Sequence, residues 1–552
     1  MWLIVHALLI PDPIHGIPYK TLSRLQPWGD LGSLGIYSGL GFGGEIFDWF
    51  SIQCVDLRAP LVQVFMPPIS TTHPVLILSD LREVEDIVTK RMSETDRADI
   101  MHTWFGLVAP RASIGLKSKS DAYRKQRSLW NVILSPSFLR EVVAKNIHDV
   151  ALELVNLWTK KAEQSQGFPF DARDDIQMAM LEATWRNMFG TPLHLVSIKS
   201  ESLHLLQRDS SNVVTFKAAS MPEFCSILDT LLLCLDWVIQ GVTPRGYTWL
   251  FRATGILSRA EKRKDEILDN QICTARAKVR HGKSSGKDAM SLVLEKDARM
   301  SESTAVTDDA LRDEVLELLL TGRSTTSGSF LWVLKYLTDH PTVQRKLRHQ
   351  LSLRFEKCDT PGSPSAEQIM TASLPYLDAV IAETLRCSAT VPVCFRETSL
   401  PCTILGHNIP AGTPLVLLTA GSFYQSPTMP HVAEELRSRT SRKAVAHKIN
   451  HTRNSNSTSK QRMTCFNDFD PSRWIVDSMF NPDAVHMLPF SAGSRGCFGK
   501  KIAMLEMRIL IVVLIMNFDF PKLAEPLSNY KSVDGLSRKP RQCHVSPRPL
   551  FR

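Results

Sequence analysis

Phe490-Ser-Ala-Gly493-Ser-Arg495-Gly496-Cys497-Phe498-Gly499 is the stretch on which the reading of this chain turns. One cysteine sits in a glycine-punctuated turn, two residues after an arginine, and an apolar run follows at once. Ile502, Ala503, Leu505, Glu506, Ile509, Leu510 and Val513 recur at helical spacing, so the turn leads into a helix. A thiol at a helix N-terminus meets a positive dipole end and free backbone N–H groups, which predicts a lowered pKa. Glycines on either side predict close approach of a flat ligand to the backbone, with no Cβ in the way.

A thiolate so placed suits ligation of haem iron, where sulfur pushes electron density onto the metal and favours O–O cleavage. A buried structural cysteine is the plain alternative. The ten residues match Phe-x-x-Gly-x-Arg-x-Cys-x-Gly, the haem-binding signature of the cytochrome P-450 family, at every fixed position, and Ala503 and Glu506 extend the likeness. Ser135-Pro-Ser-Phe-Leu-Arg-Glu-Val-Val143 and the ensuing helix resemble the corresponding segment of filamentous-fungal, microsomal-type members, and secondary metabolism is the expected setting. The resemblance spans about residue 55 to the C-terminus. It implies a mainly α fold with a small β subdomain, forming one large haem-binding domain. It also implies haem b (iron protoporphyrin IX) as cofactor, with Cys497 as metal ligand and Phe490, Gly493, Arg495 and Gly499 around it.

Upstream, Thr307-Asp308-Asp309 caps a helix predicted to run to about His340, before Pro341. Thirty-odd residues at 1.5 Å each span about 45 Å, the width of a domain. Midway, Thr321-Gly322-Arg323-Ser324-Thr325-Thr326 is poor in helix formers, which predicts a distorted ladder. Alone it reads as a glycine-kinked core helix. It resembles the family's oxygen-activation motif, and the match makes Thr325 the catalytic hydroxyl that steadies dioxygen and directs protons to it. Ser324 occupies the catalytic position where the family usually has an acid. A carboxylate relays protons through water, whereas serine only donates or accepts hydrogen bonds.

Leu374 to Arg386 reads as an amphipathic helix with Pro375 in its first turn. Glu383 and Arg386 share a face, and as a lone exposed pair they would contribute little. They match the family's Glu-x-x-Arg, and Phe469-Asp-Pro471-Ser-Arg473-Trp474 matches its Phe-x-Pro-x-Arg-Trp. The resemblance assigns Glu383, Arg386 and Arg473 to a buried structural network. Haem propionates need cations, because a buried carboxylate without a partner is costly. By resemblance these are Arg495, Arg127 at the end of Tyr123-Arg-Lys-Gln-Arg127, and Arg396. Tyr123 replaces a tryptophan and is expected to offer its hydroxyl to a propionate.

Composition sets the remaining limits. With 552 residues, 43% hydrophobic and 22% charged, the chain is an ordinary globular one. Eleven cysteines without a CxxC pair suggest neither a zinc ribbon nor a disulfide framework, and fit a reducing compartment. The net charge of +9 is concentrated in residues 437–462, which hold eight basic residues and no acid. The rest is nearly neutral, so a nucleic-acid partner is not indicated. Residues 431–465 read as a disordered basic insert within the 55–552 catalytic domain, either a lineage-specific loop or translated intervening sequence. Residues 1–54, rich in Gly and Pro, read as a loose lead-in and hinge with a possible truncated membrane anchor, since no stretch reaches transmembrane length.

The expected function is a haem-thiolate monooxygenase. It would insert one atom of O2 into a lipophilic small molecule, using electrons from NADPH-cytochrome reductase, with cytochrome b5 as a further partner. The expected site is the cytosolic face of the endoplasmic reticulum membrane. Arg124, Lys125, Lys500 and Lys501 are candidates for meeting an acidic reductase. Two rivals remain open: a haem-thiolate isomerase or dehydratase that does not use external O2, favoured by Ser324, and a non-productive haem-binding remnant.

Overall fold

The computed structural model describes all residues except 1–9, 40–42, 68, 211, 242, 283–286, 301–305, 357–363, 420–429, 431, 444–467 and 551–552. Helices dominate, and one five-stranded sheet lies at the side of the helical body. Helix α1 (Ile46–Asp56) precedes strands β1 (Leu61–Val64) and β2 (Val75–Leu78). Asp80 caps helix α2 (Leu81–Thr89) by accepting the Glu83 N–H at 2.8 Å. Strand β3 is Thr95–Arg97; strands β4 (Val393–Thr398) and β5 (Pro414–Leu418) come from the second half. The sheet order is β1-β2-β5-β4-β3, antiparallel except where β5 runs parallel to β2. Its register puts Val416 beside Ile77 and Phe395, and Arg97 directly opposite Arg396.

The helical body holds α3 (Asp121–Trp130), α4 (Ala144–Ser165), α5 (Arg173–Phe189), α6 (Asp308–Thr321), α7 (Ser327–Asp339), α8 (Pro375–Ser388) and α9 (Lys500–Asn517). Helix α9 is apolar all round from Ile509 to Ile515, so it lies at the centre, against α4. Trp158 of α4 is fully buried against Phe170, Phe518 and Phe520, and its indole N–H donates to Asp175 at 2.9 Å.

The long helix expected from 307 to about 340 is broken in its ladder. A π turn over Gly322–Thr326 joins α6 to α7, where the glycine and hydroxyl cluster lies. Gly322 is also where α5 crosses closely, since a Cβ there would meet Thr184 at 3.1 Å.

Two expectations change. The lead-in is not loose over its described part. Trp49, Phe47 and Phe50 of α1, with Leu31 and Leu34, bury against Val62, Val64 and Ile77 of the sheet. The Phe47 N–H donates to Asp534 at 2.7 Å, tying this segment to the far end of the chain. Bulky aromatics at helical spacing outweigh the local glycine and proline content. In the basic stretch, residues 431 and 444–465 lie outside the described residues, but 432–443 are docked. Arg437 makes a bidentate pair with Asp80 at 2.7 and 2.9 Å, and the hydroxyls of Ser438 and Thr440 donate to Asp86. Of the described basic residues here Arg437 is matched by the acid that caps α2, while Arg439, Arg442 and Lys443 are exposed. No described helix is long and apolar enough to cross a membrane.

Candidate active site

Between α6–α7 on one side and the turn before α9 on the other lies a cavity of about 370 Å³. Cys497, Phe490, Arg495 and Gly499 line it, as do Tyr123, Arg127, Thr321 and Thr325. The cysteine turn is fixed by backbone bonds: Cys497 N–H donates to Phe490 O at 2.8 Å and Gly496 N–H to Gly493 O at 3.0 Å. The N–H groups of Gly499 and Lys500 point at the sulfur, as a helix start provides.

The lowered pKa expected of Cys497 does not follow. Burial pushes the thiol up, and the two N–H groups and Arg127 offset this only in part. The two flanking glycines also differ. Gly499 leaves nothing within 4 Å of an added Cβ, so its face is open to a flat group. Gly493 does not serve a ligand: it has φ of +70°, and a Cβ would stand 1.9 Å from Val88 O of α2. Gly493→Ala is therefore expected to cost at least about 1–2 kcal/mol from backbone handedness alone, with the clash in addition. A thermal melt would record a clear fall in Tm, while Gly499→Ala stays within about 0.5 kcal/mol and is read instead by haem content.

Three guanidiniums face this floor without an ion-pair partner among the described residues: Arg127, Arg495 and Arg97. Arg127 stacks 4.3 Å over Phe498 and donates to Gly496 O at 3.3 Å. Arg495 stacks 4.0 Å over Tyr123 and donates to the carbonyls of Ser113 and Leu116. Nε of both Arg97 and Arg495 is buried with no hydrogen-bond partner. Burial and the nearby Arg495 and Arg396 push the Arg97 guanidinium down to about 9. Like charges directly opposed across strands destabilise a sheet, so the cluster calls for an anionic group in the cavity. The two carboxylates of a haem would find cations here and its iron would find the Cys497 sulfur, so the residues fit this group.

Arg396 itself does not line the large cavity. It lines a smaller neighbouring cavity and donates to Phe395 O, yet it stays within electrostatic reach of Arg97 and Arg495. Arg97, opposite it on β3, takes the wall position. Nothing in Thr95-Asp-Arg97 marks that role; the strand is three residues long, and only its pairing with β4 reveals it. Tyr123 differs as well, since its hydroxyl donates to Ser494 O at 3.1 Å and so braces the cysteine turn.

Thr325 faces the cavity, and its hydroxyl donates to Thr321 O at 2.9 Å. That leaves oxygen lone pairs to accept from within the cavity. Ser324 turns away: it is buried against Ser537 at 3.2 Å and is not a wall of the cavity, because the π turn directs it toward the C-terminal segment. Glu506 of α9 does line the cavity. It is hydrogen-bonded to Thr326, and burial pushes its carboxyl up to about 8.

Glu383, Arg386 and Arg473 meet away from the cavity. The fully buried Glu383 carboxylate accepts from Arg386 twice at 2.8 Å, Arg473 Nε at 2.9 Å, Trp474 Nε1 at 2.9 Å and Asp470 N–H at 2.8 Å.

A family model described as Cytochrome P450 matches residues 60–429 and 467–546. The cytochrome P450 monooxygenase GME11363 of Pestalotiopsis microspora is 30% identical, over 98% of this chain and 95% of its own length. TRI13 of Fusarium sporotrichioides, also a cytochrome P450 monooxygenase, is 27% identical over 98% and 96%. The solved structure of a cytochrome P450, CYP102L1, superposes with a TM-score of 0.67 over 98% of this chain and 99% of that one, at 16% identity.

Proposed function

The chain belongs to the cytochrome P450 family, and from that premise we propose that it is a haem-thiolate monooxygenase that inserts one atom of O2 into a lipophilic small molecule. The observation that carries this reading is one cavity lined by Cys497, Thr325 and the guanidiniums of Arg97, Arg127 and Arg495, which make no ion pair among the described residues. Haem b, when bound, supplies reductive activation of O2 and cleavage of the O–O bond, with thiolate ligation favouring the cleavage.

The residues divide the remaining work. Cys497 holds the metal, and Gly499 leaves room for the ring above the turn. Arg97, Arg127 and Arg495 receive the two carboxylates and relieve their own repulsion in doing so. The Thr325 hydroxyl accepts or donates a proton at Oγ1 within the cavity. With Ser324 turned away, Glu506 is the buried acid that can hold a proton beside this stretch, through Thr326. Apolar walls such as Phe105, Ile133 and Ile239 keep water out and fit a lipophile. NADPH would supply electrons through a membrane-bound reductase, with cytochrome b5 as an alternative donor. Exposed Lys500 and Lys501 at the start of α9 offer a basic surface for either. Residence at the endoplasmic reticulum face belongs to the same proposal.

Ser324 favours a second reading, rearrangement of a peroxide or dehydration without external O2. Turnover separates the two. With NADPH, reductase and isotopically heavy O2, the monooxygenase forms product carrying one heavy oxygen atom. Product formed from a peroxide substrate alone, with none from NADPH and O2, rejects it. Thr325→Ala is expected to lower product per NADPH about 100-fold or more, with hydrogen peroxide released instead and haem content unchanged.

A further inference from the structure

Three acids stand on the last turns of α6, and they do different things. Asp313 accepts the Arg111 N–H at 2.9 Å, and Glu314 accepts both the N–H and the hydroxyl of Ser113 at 2.7 and 2.8 Å. Those two suffice to hold the loop over the cavity. Glu317 lies one turn further on and faces the cavity itself. Its Oε2 has one long contact, from the Ile114 N–H at 3.3 Å, and it joins no ion pair among the described residues. Leu318 and Thr321 line the same cavity beside it on the helix, and Glu314, Arg97 and Arg127 lie within electrostatic reach.

We propose that Glu317 is the substrate-anchoring residue, and that the cavity takes a neutral oxygenated lipophile, a ketone or an alcohol, whose oxygen hydrogen-bonds to the carboxyl oxygen not used by Ile114. The inference rests on the monooxygenase reading only in calling the ligand a substrate. Burial, and after it the neighbouring Glu314, push the Glu317 carboxyl up to about 8, although Arg97 and Arg127 pull the other way. Raised in this way, the carboxyl holds a proton more readily than an exposed one and in that form donates to a carbonyl. A hydrocarbon would leave that polar group facing an apolar surface, whereas a ketone or alcohol satisfies it. Glu317, Thr321 and Thr325 recur every fourth residue along the same wall, so the anchor stands two turns, about 12 Å, from Thr325. Oxidation is then directed to a carbon remote from the anchored oxygen.

The test uses matched probes on the haem-loaded full chain: nootkatone with valencene, which lacks only the ketone, and cedrol with cedrane, which lacks only the hydroxyl. Equilibrium dialysis is expected to give the oxygenated member of each pair at least about tenfold tighter binding in the native protein. Glu317→Gln keeps most of that preference through its amide N–H. Glu317→Leu brings both ratios near one without weakening the hydrocarbons. A preference that survives Glu317→Leu, equal binding within each pair in the native protein, or no binding of any probe overturns the assignment. The carbonyl stretch of bound nootkatone gives a second readout that does not need the leucine variant to fold. A shift to lower frequency in the native protein is expected, and an unshifted band overturns the contact. The reduced carbon-monoxide spectrum of the same samples keeps the two readings apart. Absence of a thiolate-type band counts against the haem-thiolate function, while the binding ratios still decide Glu317.

Discussion

Cys497→Ser is expected to fold as the native chain does and to lose the haem-thiolate spectrum and all turnover. The side chains differ by one atom, and among the described residues the sulfur is hydrogen-bonded by the backbone N–H groups of Gly499 and Lys500 and by no side chain. A serine hydroxyl accepts from the same groups, so stability should change by less than about 1 kcal/mol. The chemistry changes completely. A serine hydroxyl does not ionise as a thiol does, and its oxygen cannot supply the electron push of sulfur. Reduced protein under carbon monoxide should therefore lack the red-shifted band of a thiolate ligand, and NADPH-dependent product should fall to background. Calorimetry on the same preparation should give an unchanged melt for the haem-free chain. Retention of the native spectrum would mean that another residue holds the metal.

Glu383→Ala carries the largest expected loss of stability. The carboxylate is fully buried and takes five hydrogen bonds, from two guanidiniums, an indole and a backbone amide. Removing it leaves Arg386 and Arg473 as like charges in the interior and opens the join between α8 and the Pro471–Trp474 turn. Breaking a buried ion pair from one side costs about 3–5 kcal/mol, against a total stability of about 5–15 kcal/mol. The expected result is a chain that is largely insoluble, or whose denaturant midpoint drops steeply, with haem content falling in parallel. Glu383→Gln should recover part of the loss, because an amide oxygen still accepts from Trp474 and the backbone. An alanine variant as stable as the native protein would remove this network from the account of the fold.

Residues whose role lies in local pattern were the legible ones. The cysteine turn, the Glu383–Arg386 spacing and the Phe469–Trp474 run each state a geometry within a few positions. The hydroxyl cluster at 321–326 announced a disturbed helix, and the π turn is that disturbance. What pairing decides was hidden. Arg97 became a wall of the cavity because β3 lies against β4, and the same register sets it directly opposite Arg396, which lines the smaller cavity. Ser324 looked catalytic by position, but the π turn rotates it toward Ser537. Glu317 reads in sequence as one more charge on an amphipathic helix, and only the cavity distinguishes it from Asp313 and Glu314. The first 54 residues and the basic stretch after 431 were read from composition, which says nothing about Asp534 beneath Phe47 or Asp80 beneath Arg437.

The bond between sulfur and iron can be observed directly by resonance Raman spectroscopy of haem-loaded protein prepared with natural and with heavy sulfur. A metal–ligand band that shifts to lower frequency with heavy sulfur, and is absent from Cys497→Ser, is the predicted result. A spectrum with no sulfur-sensitive band, or one that is the same in the serine variant, contradicts the account.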